Sequence, residues 1–167
     1  MQNFIIYTDG SSRGNPGPGG LGTIIINNNG KSEIRNTKSE IKEMGGKEEN
    51  TTNNRMEMRA VIEGLKNTPE GSKVEIHTDS EYLIKGATIW IKNWQKNNWR
   101  TKDKKPVLNQ DLWQELLDEQ EKKDVSWQKV LGHSGHKHND RCDEIATSFA
   151  DGKKIALYSG PENNYKF

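Results

Sequence analysis

The chain has 167 residues, of which 30% are hydrophobic and 29% charged, and its formal net charge is +1. That length suits one domain around one core, and the small charge gives no global field for a polyanion, so any nucleic-acid argument must rest on local clusters. The lone cysteine, Cys142, excludes an internal disulfide and a multi-thiolate zinc site, and no apolar run nears the roughly 20 residues of a membrane helix, so a cytoplasmic protein without a membrane partner is expected.

Residues 4–9, FIIYTD, are β-branched and aromatic and predict a strand; the Gly/Pro-rich GSSRGNPGPGG is a turn, and strand character resumes in LGTIIIN. KSEIRNTK, residues 31–38, alternates apolar and polar side chains after Asn29 and Gly30 and predicts a third, antiparallel strand. Residues 39–50 are almost wholly polar, with Gly45 and Gly46 at their centre, and are expected to form a loop or a poorly ordered insertion. Met58, Val61, Ile62 and Leu65 then recur at helical spacing, with Thr52 or Asn53 as N-cap and Pro69 and Gly71 as terminators. KVEIHTD predicts a further strand, residues 81–97 a helix, and WRTKDKKPV a basic loop. Residues 109–123 form an amphipathic helix with Leu112, Leu116 and Leu117 inward, VSWQKV is the last strand, and residues 139–150 are the last helix. From Asp151 to residue 167 the chain is polar and is expected to be a loosely held tail on a core spanning residues 3–150. Three strands, a helix, then alternating strands and helices indicate an α/β fold with a mixed sheet flanked by α-helices.

Asp9 and Asp79 each end a short apolar strand and each follows a threonine, in IIYTDG and EIHTDS. Ligands of open α/β sheets collect beyond strand ends, so the two aspartates share a site if their strands are neighbours. Glu57 is close in helical phase to Val61, on the inward side, where an unpaired carboxylate is costly to desolvate; Asp143 is placed similarly, beside Ile145 and Ala146. Carboxylates gathered in this way repel one another at neutral pH unless divalent cations bind, and an all-oxygen ligand set favours magnesium, or manganese, over zinc. Taken singly, any one of these residues also fits a helix cap or a turn.

At TDGSSRGNPGPGG, TTNNRME, TDSEY and GHSGHKHNDRCDEIA the chain resembles bacterial type 1 ribonuclease H over roughly residues 3–150. The resemblance implies a five-stranded mixed sheet flanked by helices and an endonuclease that hydrolyses the RNA strand of RNA/DNA hybrids, leaving 5′-phosphate and 3′-hydroxyl ends. It places Asp9, Glu57, Asp79 and Asp143 at a site for two magnesium ions, with manganese as the alternative, and His133 in a loop that assists proton transfer or product release. His77 is expected to be structural, and His136 and His138 have no assigned role. A monomer without an obligate protein partner is implied.

An enzyme confined to RNA must sense 2′-hydroxyls in the wide minor groove of an A-like duplex, which short polar side chains and bare backbone do best. The matching positions are Gly10, Ser12, Gly14 and Asn15 in the first turn and Asn53 and Asn54 ahead of the helix. In KNNWRTKDKK, the cations Lys96, Arg100, Lys102, Lys104 and Lys105 outweigh Asp103, one helical turn beyond Trp90 and Trp94. Cations interleaved with aromatics suit a duplex backbone, and the resemblance makes this a basic protrusion whose tryptophans line a channel for the DNA strand. Without it, Trp90 and Trp94 fit a core pair, as Trp113 and Trp127 do. Thr52 and Asn109 resemble members of a DNA phosphate pocket, whose approach the insertion at residues 42–50 is expected to alter. Glu81 departs from the family pattern, standing where relatives carry a neutral glutamine. The competing readings are a non-catalytic hybrid-binding module and a DNA-directed nuclease on the same fold.

Overall fold

The computed structural model describes residues 2–28, 39–131 and 136–167. The strands are β1 (Asn3–Ser12), β2 (Gly17–Asn27), β3 (Glu40–Thr51), β4 (Lys73–Thr78), β5 (Asp124–Lys129) and β6 (Ser159–Pro161), in one sheet of order β5-β4-β1-β2-β3-β6. Pairing is antiparallel from β1 through β2 and β3 to β6, and parallel between β1 and β4 and between β4 and β5. Parallel neighbours need long crossovers. Helix α1 (Asn53–Lys66) leads to β4, while α2 (Glu81–Lys85), a π-helical turn (Gly86–Trp90), α3 (Ile91–Lys96) and α4 (Gln110–Glu121) lead to β5; α5 (Lys137–Ala150) follows.

Strand alternation divides the apolar residues between two faces. Phe4, Ile6, Val74 and Ile76 meet Met58, Val61, Ile62 and Leu65 of α1 and Leu112, Trp113 and Leu116 of α4 in the larger core. On the opposite face Ile24, Ile26 and Ile41 pack against Cys142 of α5. Each fully buried aliphatic of this kind contributes about 1.5–3 kcal/mol. Leu117 is half-buried rather than inward.

The fold has the expected mixed sheet and flanking helices, with six strands where five were expected. The strand expected at residues 31–38 lies outside the described residues. The expected loop at residues 39–50 is instead strand β3. Its polarity misleads because Glu43 faces inward against a helix: Arg141 donates from Nε to Oε2 at 2.7 Å and from Nη2 to Oε1 at 3.0 Å. Gly45 marks a close approach rather than a turn, since a Cβ there would lie 2.1 Å from Cε2 of Phe149. The tail is likewise held. Its strand β6 extends the sheet, Tyr158 N and Tyr165 Oη donate to Glu43 at 2.9 and 2.6 Å, and Arg141 Cζ lies 3.9 Å from the Phe167 ring centroid. The helix expected over residues 81–97 is interrupted by the π-helical turn, at which Gly86 packs against Trp113.

Candidate active site

The register that sets Tyr7 of β1 opposite His77 of β4 carries Asp9 and Asp79 out side by side at one end of the sheet. Glu57 reaches them from α1 because β1 and α1 cross without an intervening side chain: a Cβ on Gly10 would lie 2.3 Å from the Glu57 backbone nitrogen. The start of α1 is fixed twice. Thr52 is the N-cap, its Oγ1 accepting from Arg55 N at 3.2 Å, and Asn53 Oδ1 accepts from Ser12 N at 2.6 Å. Together these bonds lock the turn after β1 to the helix that bears Glu57.

One carboxylate oxygen from each of Asp9, Glu57 and Asp79 lies within 4.8 Å of the other two. Asp9 and Glu57 are 8% and 9% exposed, Asp79 is half-buried, and Asp143 of α5 is exposed rather than inward as its apolar neighbours suggested. Asp143 stands outside the group of three, yet its carboxylate raises the Asp9 carboxyl. Burial pushes the Asp9 carboxyl up to about 7; a hydrogen bond with Glu57 lowers it, and Asp79 and Asp143 raise it further. Burial also lifts Glu57 well above the carboxylate range, with the Asp9 charge adding. Glu57 Oε2 is sealed from solvent and has no hydrogen-bond donor. An all-oxygen donor set that includes a carboxylate with an orphaned oxygen fits a hard divalent cation.

Around this centre, Ser12 Oγ donates to Gly14 O at 2.5 Å, and Gly14 holds φ at 142°, which the turn requires of a glycine. Asn15 and Asn54 are exposed nearby in sequence. Asn109 joins the α1 terminus through Arg55, to which sequence reasoning assigns no role: Arg55 Nη1 donates to Asn109 Oδ1 at 3.3 Å, and Asn109 Nδ2 donates to Tyr82 Oη at 3.0 Å. Arg55 also makes two bonds to Asp111, at 3.0 and 2.7 Å. Its presence within TTNNRME was the available signal.

Trp90 and Trp94 are half-buried, with ring centroids 6.0 Å apart, and Trp94 lies 5.4 Å from the buried Trp113. The tryptophan pair is thus anchored on the core and still presents ring surface outward. Beyond it, Lys96, Arg100, Lys102, Lys104 and Lys105 are all exposed, and Arg100 Nη1 donates to Lys104 O at 3.1 Å. Trp127 packs against the core and donates to Gln120 Oε1 at 3.0 Å. His77 is structural in placement, stacked on Tyr7 at 4.6 Å and bonded to Glu75 at 2.7 Å. His133 lies outside the described residues. Glu81, the departure from pattern, has a partner: Lys129 Nζ donates to its Oε1 at 2.7 Å.

The family model described as RNase H matches residues 1–151. A ribonuclease H of Pseudoalteromonas atlantica is 48% identical over 155 residues, covering 93% of this chain and 95% of that protein. A ribonuclease H of Hahella chejuensis is 51% identical over 146 residues, covering 87% of this chain and 92% of that protein. Among solved structures, LC9-RNase H1, a type 1 RNase H with the type 2 active-site motif, superposes with a TM-score of 0.81 at 29% identity, covering 95% of this chain and 78% of that one. LC11-RNase H1, solved in complex with an RNA/DNA hybrid, gives a TM-score of 0.60 at 25% identity, covering 89% of this chain and 97% of that one. A fold, a carboxylate cluster and relatives of this closeness agree, and the chain belongs to the bacterial-type ribonuclease H family.

Proposed function

We infer that this protein is an endonuclease that hydrolyses the RNA strand of RNA/DNA hybrids, leaving 5′-phosphate and 3′-hydroxyl ends. The observation that carries this is the convergence of Asp9, Glu57 and Asp79 within 4.8 Å at the end of a ribonuclease H sheet. Asp9, Glu57, Asp79 and Asp143 hold two divalent cations, magnesium by the chemistry of their oxygens. When bound, such cations supply activation of the attacking water and neutralisation of charge on the departing oxygen. The chain's own contribution is to aim these carboxylates at one point; burial and mutual repulsion favour their neutral forms, and bound cations would offset both.

Substrate selection falls to the surrounding residues. Gly10, Ser12, Gly14, Asn15, Asn53 and Asn54 present backbone and short polar groups to the minor groove, where 2′-hydroxyls distinguish RNA from DNA. Trp90, Trp94, Lys96, Arg100, Lys104 and Lys105 take the DNA strand by sugar stacking and phosphate pairing, and Thr52 and Asn109 hold one of its phosphates. His133 assists proton transfer or product release. The protein works as a single-domain monomer in the cytoplasm; among the described residues no helix is long and apolar enough to cross a membrane.

The test is incubation of labelled RNA/DNA, RNA/RNA and DNA/DNA duplexes with magnesium, comparing wild type with Asp9→Asn. Cleavage of the RNA of the hybrid alone, lost in the variant, is expected; equal cutting of DNA/DNA would overturn the reading.

A further inference from the structure

The substrate proposed above is a polyanion, so an acid on the rim of the site calls for an account. Glu81 opens α2, two positions after Asp79 and directly after the capping Ser80. Lys129 closes β5, and its register partner in β4 is Thr78, the residue before Asp79. The two side chains therefore meet beside the carboxylate group, with Lys129 Nζ donating to Glu81 Oε1 at 2.7 Å. Alternation puts Lys129 on the side of β5 that carries Val125 and Trp127, which pack against the core, and its side chain is 45% exposed. Glu81 is 60% exposed. The hydrogen bond and charge of Lys129 hold the Glu81 carboxyl below its ordinary range, with Lys85 adding.

An ion pair this exposed holds weakly and opens readily. A phosphate oxygen offers the ammonium the same chemistry as a carboxylate oxygen. We propose that Glu81 and Lys129 form an exchangeable ion pair that sets the strength and salt dependence of hybrid binding: Glu81 occupies Lys129 in the free protein, and a backbone phosphate of the hybrid competes for the same ammonium. Glu81 is thereby a restraint on affinity, and Lys129 a phosphate contact held partly in reserve. The proposal rests on the hybrid-cleaving function inferred above.

The test compares wild type, Glu81→Gln, Lys129→Ala and the double variant. Dissociation constants for a fluorescent RNA/DNA hybrid are measured by anisotropy over a range of salt without divalent cation, and KM and kcat are measured with magnesium. Glu81→Gln frees the lysine, so binding tightens several-fold at low salt, and the dependence of log Kd on log salt steepens by up to about 0.7–0.9, the increment of one whole phosphate contact. The change falls on KM rather than kcat. In the double variant the extra slope disappears, which a purely electrostatic effect of Glu81 on the duplex would not produce. An unchanged slope in Glu81→Gln, or the same change in Kd whether position 129 is lysine or alanine, overturns the proposal. Cleavage by wild type separates this from the function: a hybrid that is cut with no slope change removes the ion-pair proposal alone, whereas a slope change without cutting removes the proposed activity and leaves the ion pair standing.

Discussion

Arg13 and Asp151 close a two-bond clamp between the turn after β1 and the end of α5, Nε to Oδ1 at 2.6 Å and Nη2 to Oδ2 at 2.7 Å. The clamp ties the turn bearing Ser12, Gly14 and Asn15 to the helix bearing Asp143. Both side chains are substantially exposed, so the pair adds little to global stability. Arg13→Ala is expected to leave Tm unchanged while raising KM for the hybrid several-fold. Asp151→Asn frees the turn but keeps the cation, so a rise in KM there too, measured in steady-state cleavage, identifies tethering rather than charge as the cause.

Asp9 supplies a second prediction through its pKa. A buried carboxyl lifted from 3.8 to about 7 destabilises the fold when ionised. That cost is absent below pH 3.8, grows as pH rises and is complete above about 7. Asp9→Asn should therefore raise the Tm of the metal-free protein at pH 8, with a ceiling of about 4 kcal/mol, and the advantage should vanish near pH 3.5. Magnesium added to wild type should narrow the gap, because a ligand of the native state stabilises it. Thermal unfolding in chelator and in magnesium, at both pH values, measures each part.

Glu43 behaves in the opposite sense. Burial alone would raise its carboxyl, but Arg141, Tyr165 and Tyr158 outweigh burial and hold it below the ordinary range. Its contribution to stability is present above the unfolded carboxyl value of 4.5 and is lost as pH falls through the depressed folded value. Glu43→Gln removes the buried counter-charge of Arg141 and leaves it only the exposed Glu144, 3.1 Å from Nη1; it should cost up to about 3–5 kcal/mol in urea unfolding at neutral pH, with a shallower loss of stability in acid than wild type.

Gly10→Ala should injure both fold and site. The added methyl would meet the α1 backbone at Glu57 rather than a movable side chain. Strain of about 1–3 kcal/mol is expected, with a fall in cleavage of at least about ten-fold as Glu57 is displaced from Asp9, and magnesium affinity by calorimetry should fall in parallel.

The parts of the site legible in the sequence are those whose signals are local. Asp9 and Asp79 sit at the ends of apolar strands, Glu57 lies in phase with Val61, and the Thr52 cap precedes its helix directly. What stayed hidden depends on partners far along the chain. Strand β3 reads as a loop because the residue that satisfies Glu43 is 98 positions away, and Glu81 departs from the family pattern without a visible partner because Lys129 is 48 positions away. The exposure of Asp143 is not legible in the sequence, because adjacency to Ile145 and Ala146 says little about which way a helical residue points.

The seating of α5 has a consequence for engineering. A Cβ on Gly20 would lie 2.0 Å from Ala146 O, and one on Gly22 would lie 2.2 Å from Cys142 O, so the helix rests on bare strand backbone. Glycine-to-alanine exchange, a common route to a more heat-resistant protein through a less entropic unfolded chain, is closed at both positions. At these two positions no β2 side chain holds the strand off the helix backbone, so peptide thickness there helps to set the height of Asp143 above Asp9. Improvement by directed evolution should therefore accumulate at the protrusion and the tail, leaving this contact untouched.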